Sequence, residues 1–382
     1  MLHDCFAIVA PGLEALALAE ARALGLPVEL DPAGGGVSWR GDLRSVLLAN
    51  VGLRIVSRVL IRLARFEARS FAELERHARQ VPWSSVVRPG GAVRFRVTCK
   101  KSKLYHSDAV AQRLADAVIR ALPDVRAEGA SGTDDDAPDQ DNAQLFVVRL
   151  LRDQCTVSAD SSGDLLHRRG YRQATAKAPL RETLAAALLA ASGWDGASPL
   201  IDPLCGSGTI PIEGALAARG VPAGAARTFA AERWPGVSST LGQRIRTDLA
   251  GRTISVSAPA VVGSDRDAGA IAAAIANAER AGVAPLVSFE ERSLSAATFP
   301  AGARGWVVSN PPYGVRVGDG DRVRDLWAQL GHVLRQRVPR WRVALLSPDP
   351  SLERQLRLPM KVVAQTSNGG IPVRLIVGDV EG

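Results

Sequence analysis

Cysteine is scarce in this sequence, and none of it is spaced to build a site. The four cysteines, Cys5, Cys99, Cys155 and Cys205, lie far apart and form no Cys-x-x-Cys pair. A disulfide framework or a zinc site needs closer or more numerous cysteines. We therefore expect no metal site, and a reducing, cytoplasmic location.

Long apolar runs are also absent. No stretch of about 18 apolar residues occurs, so we expect no membrane span. The first residues, MLHDCFAIVAPGLEALA, carry Asp4 and lack the basic region of a signal peptide, and they predict a strand that leads into a helix. The 382 residues are 46% hydrophobic and 23% charged, which is typical of a soluble protein of two or three domains without internal repeats.

Positive charge is concentrated in one part of the chain. The formal net charge is +8, and Lys and Arg between residues 54 and 126 number 16 against 6 Asp and Glu. Most of these cations are arginine, whose planar guanidinium suits phosphate. A polyanionic partner explains this excess, and so would a GC-rich genome that uses arginine as its ordinary surface cation.

The first 160 residues or so alternate strands and helices in an α+β pattern. The strand AVRFRVTCKK places Val93, Phe95 and Val97 on one face, and the amphipathic helix HSDAVAQRLADAVIRAL follows, with Ser107 or Asp108 as its cap. EGASGTDDDAPDQDN predicts a mobile acidic loop. QLFVVRLLRD and QCTVSADSSG predict the two strands of a hairpin.

The pattern changes in the second half of the chain, where strands alternate with helices. Strands are predicted at PLIDPL, AVVGSD, APLVSFE, GWVVSN, WRVALLSP, KVVAQT and IPVRLIVGD, and helices at 209–219, 267–281 and 321–337. This alternation predicts an α/β domain with a doubly wound, mostly parallel sheet. Residues 221–258 interrupt it as a long insertion.

A Gly-rich turn follows the first of these strands, in LIDPLCGSGTIPIEGA. The strand ends at Asp202, and the glycines at 206 and 208 and the free N–H groups of the next helix let a ligand approach the backbone. The spacing is neither a dinucleotide fingerprint nor a P-loop. Because Asp202 would repel a pyrophosphate and attract an ammonium group, the turn suits the methionine part of S-adenosylmethionine. An ordinary strand–turn–helix is the alternative.

Two further motifs follow later strands. In VVGSDRD, Asp265 stands where a carboxylate binds ribose hydroxyls, and Asp267 is the better cap for the next helix, which leaves Asp265 free for a ligand. In GWVVSNPPYG, two prolines hold a rigid, extended turn. The Asn310 side-chain oxygen and a nearby carbonyl can accept from an exocyclic NH2 group while Tyr313 stacks on the base. A rigid turn without a ligand is the alternative.

Residues from about 165 to 378 closely resemble the RNA guanine-N2 methyltransferases that carry a THUMP domain, in particular the large-subunit ribosomal RNA type. The resemblance is carried by the stretches LHRRGYRQATAKAPLRETLAAALL, PLIDPLCGSGTIPIEGA, GSDRDAGAI and VVSNPPYGVRV. In the first half of the chain, the stretch most similar to the family is VTCKKSKLYHSDAVAQRL. The resemblance implies a ferredoxin-like segment at 1–62, a THUMP RNA-binding domain at 63–162 and a Rossmann-like methyltransferase domain at 163–382.

The resemblance also implies roles for individual residues. S-adenosylmethionine would contact Asp202, Pro203, Cys205, Gly206, Ser207, Gly208, Thr209, Asp265, Arg266, Ser293 and Asn310. The catalytic turn that holds the target amine and base would be Asn310, Pro311, Pro312 and Tyr313. For the RNA, we expect phosphate contacts from Lys100, Lys101, Lys103, Arg168, Arg169 and Arg172, the last three in the linker between domains.

Two features depart from the family. Many members place an Asp after the third strand, near the adenine amino group, whereas this chain reads Glu291-Arg292-Ser293, so that Ser293 stands there. The enterobacterial member carries a second methyltransferase domain, for which a chain ending at Gly382 has no room, so one modification is expected.

The predicted reaction is direct methyl transfer to an exocyclic amine, in which positioning and electrostatics dominate. No cysteine lies beside the turn at Asn310, so no covalent intermediate is expected, and Cys205 is interpreted as packing. His332 is a candidate general base, although a surface or packing role is the preferred interpretation.

Other functions stay open at this point. The alternatives are a transfer RNA guanine-N2 methyltransferase, a DNA adenine-N6 or protein glutamine methyltransferase, and a non-catalytic RNA-binding assembly factor. We expect a monomer whose partner is structured RNA, ribosomal or transfer, with no membrane association. The sequence does not identify the target nucleotide.

Overall fold

The computed structural model describes residues 2–128, 143–173, 180–251, 261–300, 304–313 and 320–382. The chain forms two compact units. Unit 1 consists of Met1–Val9, Glu20–Leu166 and Arg227–Thr247, and unit 2 of Ala10–Ala19, His167–Ala226 and Asp248–Gly382. None of the helices in these described ranges is both long and apolar enough to cross a membrane. The acidic loop predicted at 128–142 lies outside the described residues except for Glu128.

The first part of the chain alternates short helices with strands. Its elements are β1 (His3–Ile8), α1 (Glu14–Ala23), β2 (Glu29–Leu30), β3 (Gly36–Gly41), α2 (Leu43–Gly52), β4 (Arg58–Glu67), α3 (Phe71–Ala78), β5 (Ala92–Lys100), α4 (Ser107–Ala121), β6 (Arg126–Ala127), β7 (Gln144–Leu151) and β8 (Gln154–Asp160). The eight strands form one sheet in the order β2-β3-β1-β4-β8-β7-β5-β6. Strand β4 pairs with both β1 and β8, and its register with β8 shifts between Arg62 and Ala64, as at a β-bulge.

An aromatic cluster fills the core beside β5 and β7. Val93 and Phe95 alternate on the buried face of β5, as predicted. Phe95 stacks on Phe146 with ring centroids 5.2 Å apart, and Trp83 packs edge-on against Phe146 at 5.0 Å. Strands β7 and β8 pair antiparallel, which confirms the predicted hairpin.

The start of α4 differs from the sequence prediction. His106 occupies the N-cap position and makes no side-chain capping bond, so the predicted cap at Ser107 or Asp108 is wrong. Both residues lie inside the first turn. There Asp108 is favourable for another reason, because its charge opposes the positive end of the helix dipole.

The elements from residue 182 onward follow the predicted alternation. They are α5 (Glu182–Ser192), β9 (Leu200–Asp202), α6 (Thr209–Ala218), α7 (Leu241–Ala250), β10 (Val261–Asp265), α8 (Ala268–Arg280), β11 (Val287–Glu291), β12 (Trp306–Ser309), α9 (Gly320–Arg337), β13 (Arg342–Ser347), α10 (Pro350–Leu356), β14 (Lys361–Asn368) and β15 (Ile371–Asp379). Helix α7 lies in the predicted insertion, whose residues 227–247 belong to unit 1.

The sheet of unit 2 has the strand order β11-β10-β9-β12-β13-β15-β14. All pairs from β11 to β13 are parallel, and β15 runs antiparallel to both of its neighbours. The predicted α/β fold with a mostly parallel sheet is confirmed. Because β9 lies between β10 and β12, the carboxyl ends of these three strands meet at one edge, the place where such sheets bind ligands.

The core of unit 2 lies between this sheet and α9. Ile201, Val307 and Val343 supply buried side chains from three adjacent strands, and Trp327 and Leu330 pack against them from α9. Every one of these side chains is almost fully buried. This packing holds the strand ends, and the polar residues that follow them, in a fixed arrangement.

Candidate active site

Asp202 is a deeply buried carboxyl group of the site. It ends β9 and is only 2% exposed. Its Oδ1 accepts hydrogen bonds from the Ser309 hydroxyl at 2.6 Å and from the Leu204 N–H at 3.2 Å. Burial raises the pKa of Asp202 to about 7, although these two bonds oppose the shift, and the nearby charge of Asp265 raises it further. The site therefore contains a carboxyl that changes charge near neutral pH.

Asp265 joins two turns. Its Oδ2 accepts from the Gly206 N–H at 3.0 Å, and its Oδ1 accepts from the Asp267 N–H, also at 3.0 Å. Asp267 caps α8 by accepting from Gly269 and Ala270, as predicted. Asp265 is thus not the cap and lines the cavity, although both of its oxygens already accept a backbone bond; its contact with a ligand stays a prediction. Each oxygen retains acceptor capacity, so the carboxylate can still receive a ligand hydroxyl.

The two glycines of the turn have different structural roles. Both have positive φ, +52° at Gly206 and +82° at Gly208. A Cβ at Gly206 would meet no heavy atom within 4 Å, and this residue lines the cavity. A Cβ at Gly208 would lie 2.8 Å from the ring of Phe289 and 2.9 Å from Cβ of Ala274. Gly206 thus opens the backbone to a ligand, whereas Gly208 allows α8 and β11 to pack closely against the turn.

The side chains of the Asn310 turn hydrogen-bond to each other and to neighbouring elements. The Tyr313 hydroxyl donates to Oδ1 of Asn310, the oxygen predicted to accept the target amine. Asn368 Nδ2 lies 3.5 Å from the Tyr313 hydroxyl, and the Trp327 indole N–H reaches the Pro312 carbonyl at 3.4 Å. Burial raises the pKa of Tyr313 to about 12, so the phenol keeps its proton. Residues 314–319 of the motif lie outside the described residues.

These groups line one cavity of about 1270 Å³ within unit 2. The predicted residues that line it are Asp202, Cys205, Gly206, Ser207, Thr209, Asp265, Arg266, Ser293, Asn310, Pro311, Pro312 and Tyr313. Pro203 and Gly208 are not among the described residues that line it. The Ser293 hydroxyl lies 3.1 Å from the Ser295 hydroxyl, and its place near the adenine amino group stays a prediction.

Sequence reasoning missed a second wall of this cavity. It is lined by Arg292, by Arg322, Asp325 and Gln329 of α9, and by Asn368, Gly369 and Ile371 of the β14–β15 hairpin. The hairpin lies at the ligand-binding edge because β14 and β15 are antiparallel and β15 also runs antiparallel to β13. The sequence Asn368-Gly369-Gly370 between two strands is a recognisable hairpin turn, and it could have indicated this wall.

Two other candidates for chemistry are excluded by their surroundings. The Cys205 thiol is buried, and burial together with Asp202 raises its pKa well above the usual value, so it is a poor nucleophile. His332 is exposed on α9 and does not line the cavity, in agreement with the preferred interpretation of the sequence.

The residues predicted to contact RNA fall into two groups. Lys100, Lys101 and Lys103 are exposed in unit 1. In unit 2, by contrast, Arg169 is 4% exposed and lies 3.5 Å from Glu213. Arg172 pairs with Glu182 and donates to the Leu180 carbonyl at 2.8 Å.

The prediction for Arg169 and Arg172 is therefore wrong. Their guanidinium groups neutralise two carboxylates that the packing of α5 and α6 has buried. Burial still raises the pKa of Glu182 to about 7. Arg168 is half-buried, and its contact with RNA stays a prediction.

Comparison with known proteins gives two family matches. Residues 169–375 match the family described as "RMKL-like, methyltransferase domain", and residues 4–60 match the RlmL ferredoxin-like domain. The chain is 33% identical to the candidate RNA methyltransferase slr0064 of Synechocystis sp., over 97% of this chain and 95% of the relative.

A longer relative and a solved structure extend the comparison. The chain is 34% identical to the ribosomal RNA large subunit methyltransferase K/L of Syntrophotalea carbinolica, over 98% of this chain but 53% of the relative, so it spans about half of that protein. SMU.472, a candidate methyltransferase crystallised in complex with SAH, has a TM-score of 0.85 and 27% identity, over 100% of this chain and 98% of its own.

Proposed function

This chain belongs to the RMKL-like methyltransferase family, and from that premise we propose that it transfers a methyl group from S-adenosylmethionine to the exocyclic N2 amine of a guanine in structured RNA. Large-subunit ribosomal RNA is the substrate we favour, because the K/L relatives are named for it. The observation that carries the proposal is the meeting of Asp202, Asp265 and Asn310 at one edge of the sheet, around one cavity.

The residues at this edge fit the cofactor. The Asp202 carboxylate, with Ser309 to stabilise its charge, suits the ammonium of the methionine part. Asp265 can accept from ribose hydroxyls. The open side of Gly206 permits close approach to the backbone. When bound, the cofactor would supply a methyl group already activated by a positively charged sulfur.

The turn at residues 310–313 would orient the amine. The Asn310 side-chain oxygen and the Pro311 carbonyl accept from the NH2 group and so direct the nitrogen lone pair, while Tyr313 packs against the base. In this structure the Tyr313 hydroxyl donates to the Asn310 oxygen, so the amine would take the remaining acceptor position of that oxygen or replace the hydroxyl. The proton leaves the nitrogen after transfer, and no strong base is required.

A surface of unit 1 offers a site for the RNA. Lys100, Lys101 and Lys103 are exposed, and the Tyr105 ring beside them is 70% exposed, with its centroid 4.0 Å from that of His106. Lysines bind phosphates and an exposed ring stacks on a base, so this combination suits RNA with unpaired nucleotides. We expect its affinity for RNA to fall steeply with salt.

The substrate class is tested with labelled cofactor. Purified protein is incubated separately with large-subunit ribosomal RNA, transfer RNA, DNA and a glutamine-containing protein substrate. We expect label in ribosomal RNA and N2-methylguanosine in its nucleoside digest by mass spectrometry. Label confined to transfer RNA would favour the transfer RNA alternative, label in DNA or protein would contradict the proposal, and failure of the protein to bind SAH would indicate a non-catalytic role.

The role of Asn310 is tested by substitution. Asn310→Ala should abolish methylation while the affinity for SAH, measured by calorimetry, stays near that of the wild type. His332→Ala is the control, because its side chain is exposed outside the cavity, and it should keep full activity. Equal loss of methylation and SAH binding in Asn310→Ala would show that Asn310 is structural.

A further inference from the structure

A chain of polar contacts reaches the cofactor turn from behind; it is buried at Asn277, Tyr171 and Glu213 and exposed at Arg280. Asn277 of α8 is fully buried, and its Nδ2 donates to the Ser207 carbonyl at 3.2 Å. Its Oδ1 accepts from the Arg280 guanidinium, whose Nε donates to the Tyr171 carbonyl at 2.7 Å. The Tyr171 hydroxyl donates to Glu213 at 3.1 Å. We call these residues the internal brace.

Both ends of the internal brace act on the same turn. At one end Asn277 holds the carbonyl of Ser207, which lines the cavity. At the other end Glu213 lies on α6, the helix that the turn opens, and it also pairs with Arg169. The next N–H along the chain, that of Gly208, donates to the Cys205 carbonyl at 2.9 Å. The peptide between Ser207 and Gly208 is therefore held on both sides.

We propose that Asn277 is a positioning residue for the cofactor, and that Arg280, Tyr171 and Glu213 support it as one internal brace. Arg169, first interpreted as an RNA contact, would then serve the cofactor site from inside unit 2 through its ion pair with Glu213. This inference rests on the proposed function, because it requires the Gly-rich turn to bind S-adenosylmethionine.

The substitution Asn277→Asp isolates the contact. Aspartate has nearly the same size and still accepts from Arg280, but it presents an oxygen to the Ser207 carbonyl where the amide presents an N–H. The displaced turn should bind SAH about tenfold more weakly, as measured by calorimetry, since a buried carbonyl without its donor favours another conformation. Arg280→Lys cannot reach Tyr171 and Asn277 with the same planar geometry, and it should weaken SAH binding by a smaller factor.

Asn50→Asp is the matched control. Asn50 is equally buried but lies in unit 1, where its Nδ2 donates to the Val46 carbonyl at 2.9 Å and to Ser161 at 2.8 Å. This variant should lower the melting temperature as Asn277→Asp does, while its affinity for SAH stays unchanged.

The outcomes separate this inference from the function on which it rests. If the wild type fails to bind SAH, the proposed function is wrong. If the wild type binds SAH and both Asn277→Asp and Arg280→Lys bind it equally well, only the inference is overturned. It is also overturned if Asn50→Asp weakens SAH binding as much as Asn277→Asp. Arg280→Lys keeps the test decisive if Asn277→Asp does not fold.

Discussion

Because Asp202 titrates near neutral pH, we expect the affinity of the protein for its cofactor and its free energy of unfolding to change in opposite directions with pH. The Asp202 carboxyl is buried, and its pKa is raised to about 7 mainly for that reason. The ammonium of the cofactor is attracted only by the ionised form. Lowering the pH through 7 should therefore weaken binding.

The expected change follows from the ionised fraction. With a pKa of about 7, that fraction rises from about 0.1 at pH 6 to about 0.75 at pH 7.5, so the affinity should rise about eightfold. Stability has the opposite sign. Unfolded Asp titrates near pH 4, so between about pH 4 and 7 the folded chain holds a proton that the unfolded chain has lost. The free energy of unfolding should fall as the pH rises through this window.

Calorimetry with SAH between about pH 6 and 7.5 tests the argument, since the amino group of the ligand itself loses its proton near pH 8. Asp202→Asn has the same size and should bind weakly with no dependence on pH in this range. Ser309→Ala removes a hydrogen bond that favours the charged form, so the rise should move to higher pH. A flat wild-type profile, or a rise that survives in Asp202→Asn, would refute the assignment of Asp202 to the ammonium.

Three further predictions concern stability and the turn. Gly208→Ala should lower the free energy of unfolding by about 1–3 kcal/mol beyond the strain of its positive φ, because the new Cβ would overlap the Phe289 ring. Thermal denaturation measures this loss, and a stability equal to that of Gly206→Ala would contradict the prediction. Gly206→Ala should cost only about 1–2 kcal/mol in stability, yet it should weaken SAH binding in calorimetry, since its Cβ would point into open space beside the cavity. Asp160→Asn leaves the buried Arg58 guanidinium without its counter-ion and should cost about 3–5 kcal/mol in urea unfolding, whereas a loss below about 1 kcal/mol would show that Arg58 finds another partner.

Unit 2 could be predicted from the sequence because its local signals agree with its topology. The apolar runs of β9, β10 and β12 end at or beside Asp202, Asp265 and Asn310, and parallel strands put those residues at one edge. Asp202, Asp265 and Asn310 therefore meet in the structure as their positions after β9, β10 and β12 indicate. The cavity wall made by α9 and the β14–β15 hairpin was missed, because the turn at Asn368-Gly369-Gly370 indicates a hairpin but shows its place at the ligand-binding edge only once the order of the strands is known.

Side-chain direction is the property that the sequence did not reveal. Arg169 and Arg172 stand in a basic stretch between predicted domains, and their charge alone suits a phosphate. Their partners, Glu213 and Glu182, are distant in sequence and become neighbours only when α5 and α6 pack. For Glu213 a signal was available, because a carboxylate in the middle of the apolar helix TIPIEGALAA requires a partner once it is buried. Glu182 gave no such signal, because it begins α5, where an acidic residue is favourable without a partner.

Ion pairs within unit 1 also reduce the number of arginines that can contact RNA. The excess of arginine between residues 54 and 126 overstates the charge available to a partner, because Arg58, Arg62 and Arg113 already pair with acidic residues of the same unit. Paired guanidinium groups contribute little field beyond their own counter-ions. The cations that stay exposed are Lys100, Lys101 and Lys103 together with several arginines, among them Arg65, Arg79 and Arg88. The lysines bind phosphate as point charges, without the bidentate geometry of arginine. The RNA contact expected of these three lysines is accordingly electrostatic and independent of base identity, so we expect selection of the target nucleotide to come from the cavity at Asn310 and from the shape of the RNA.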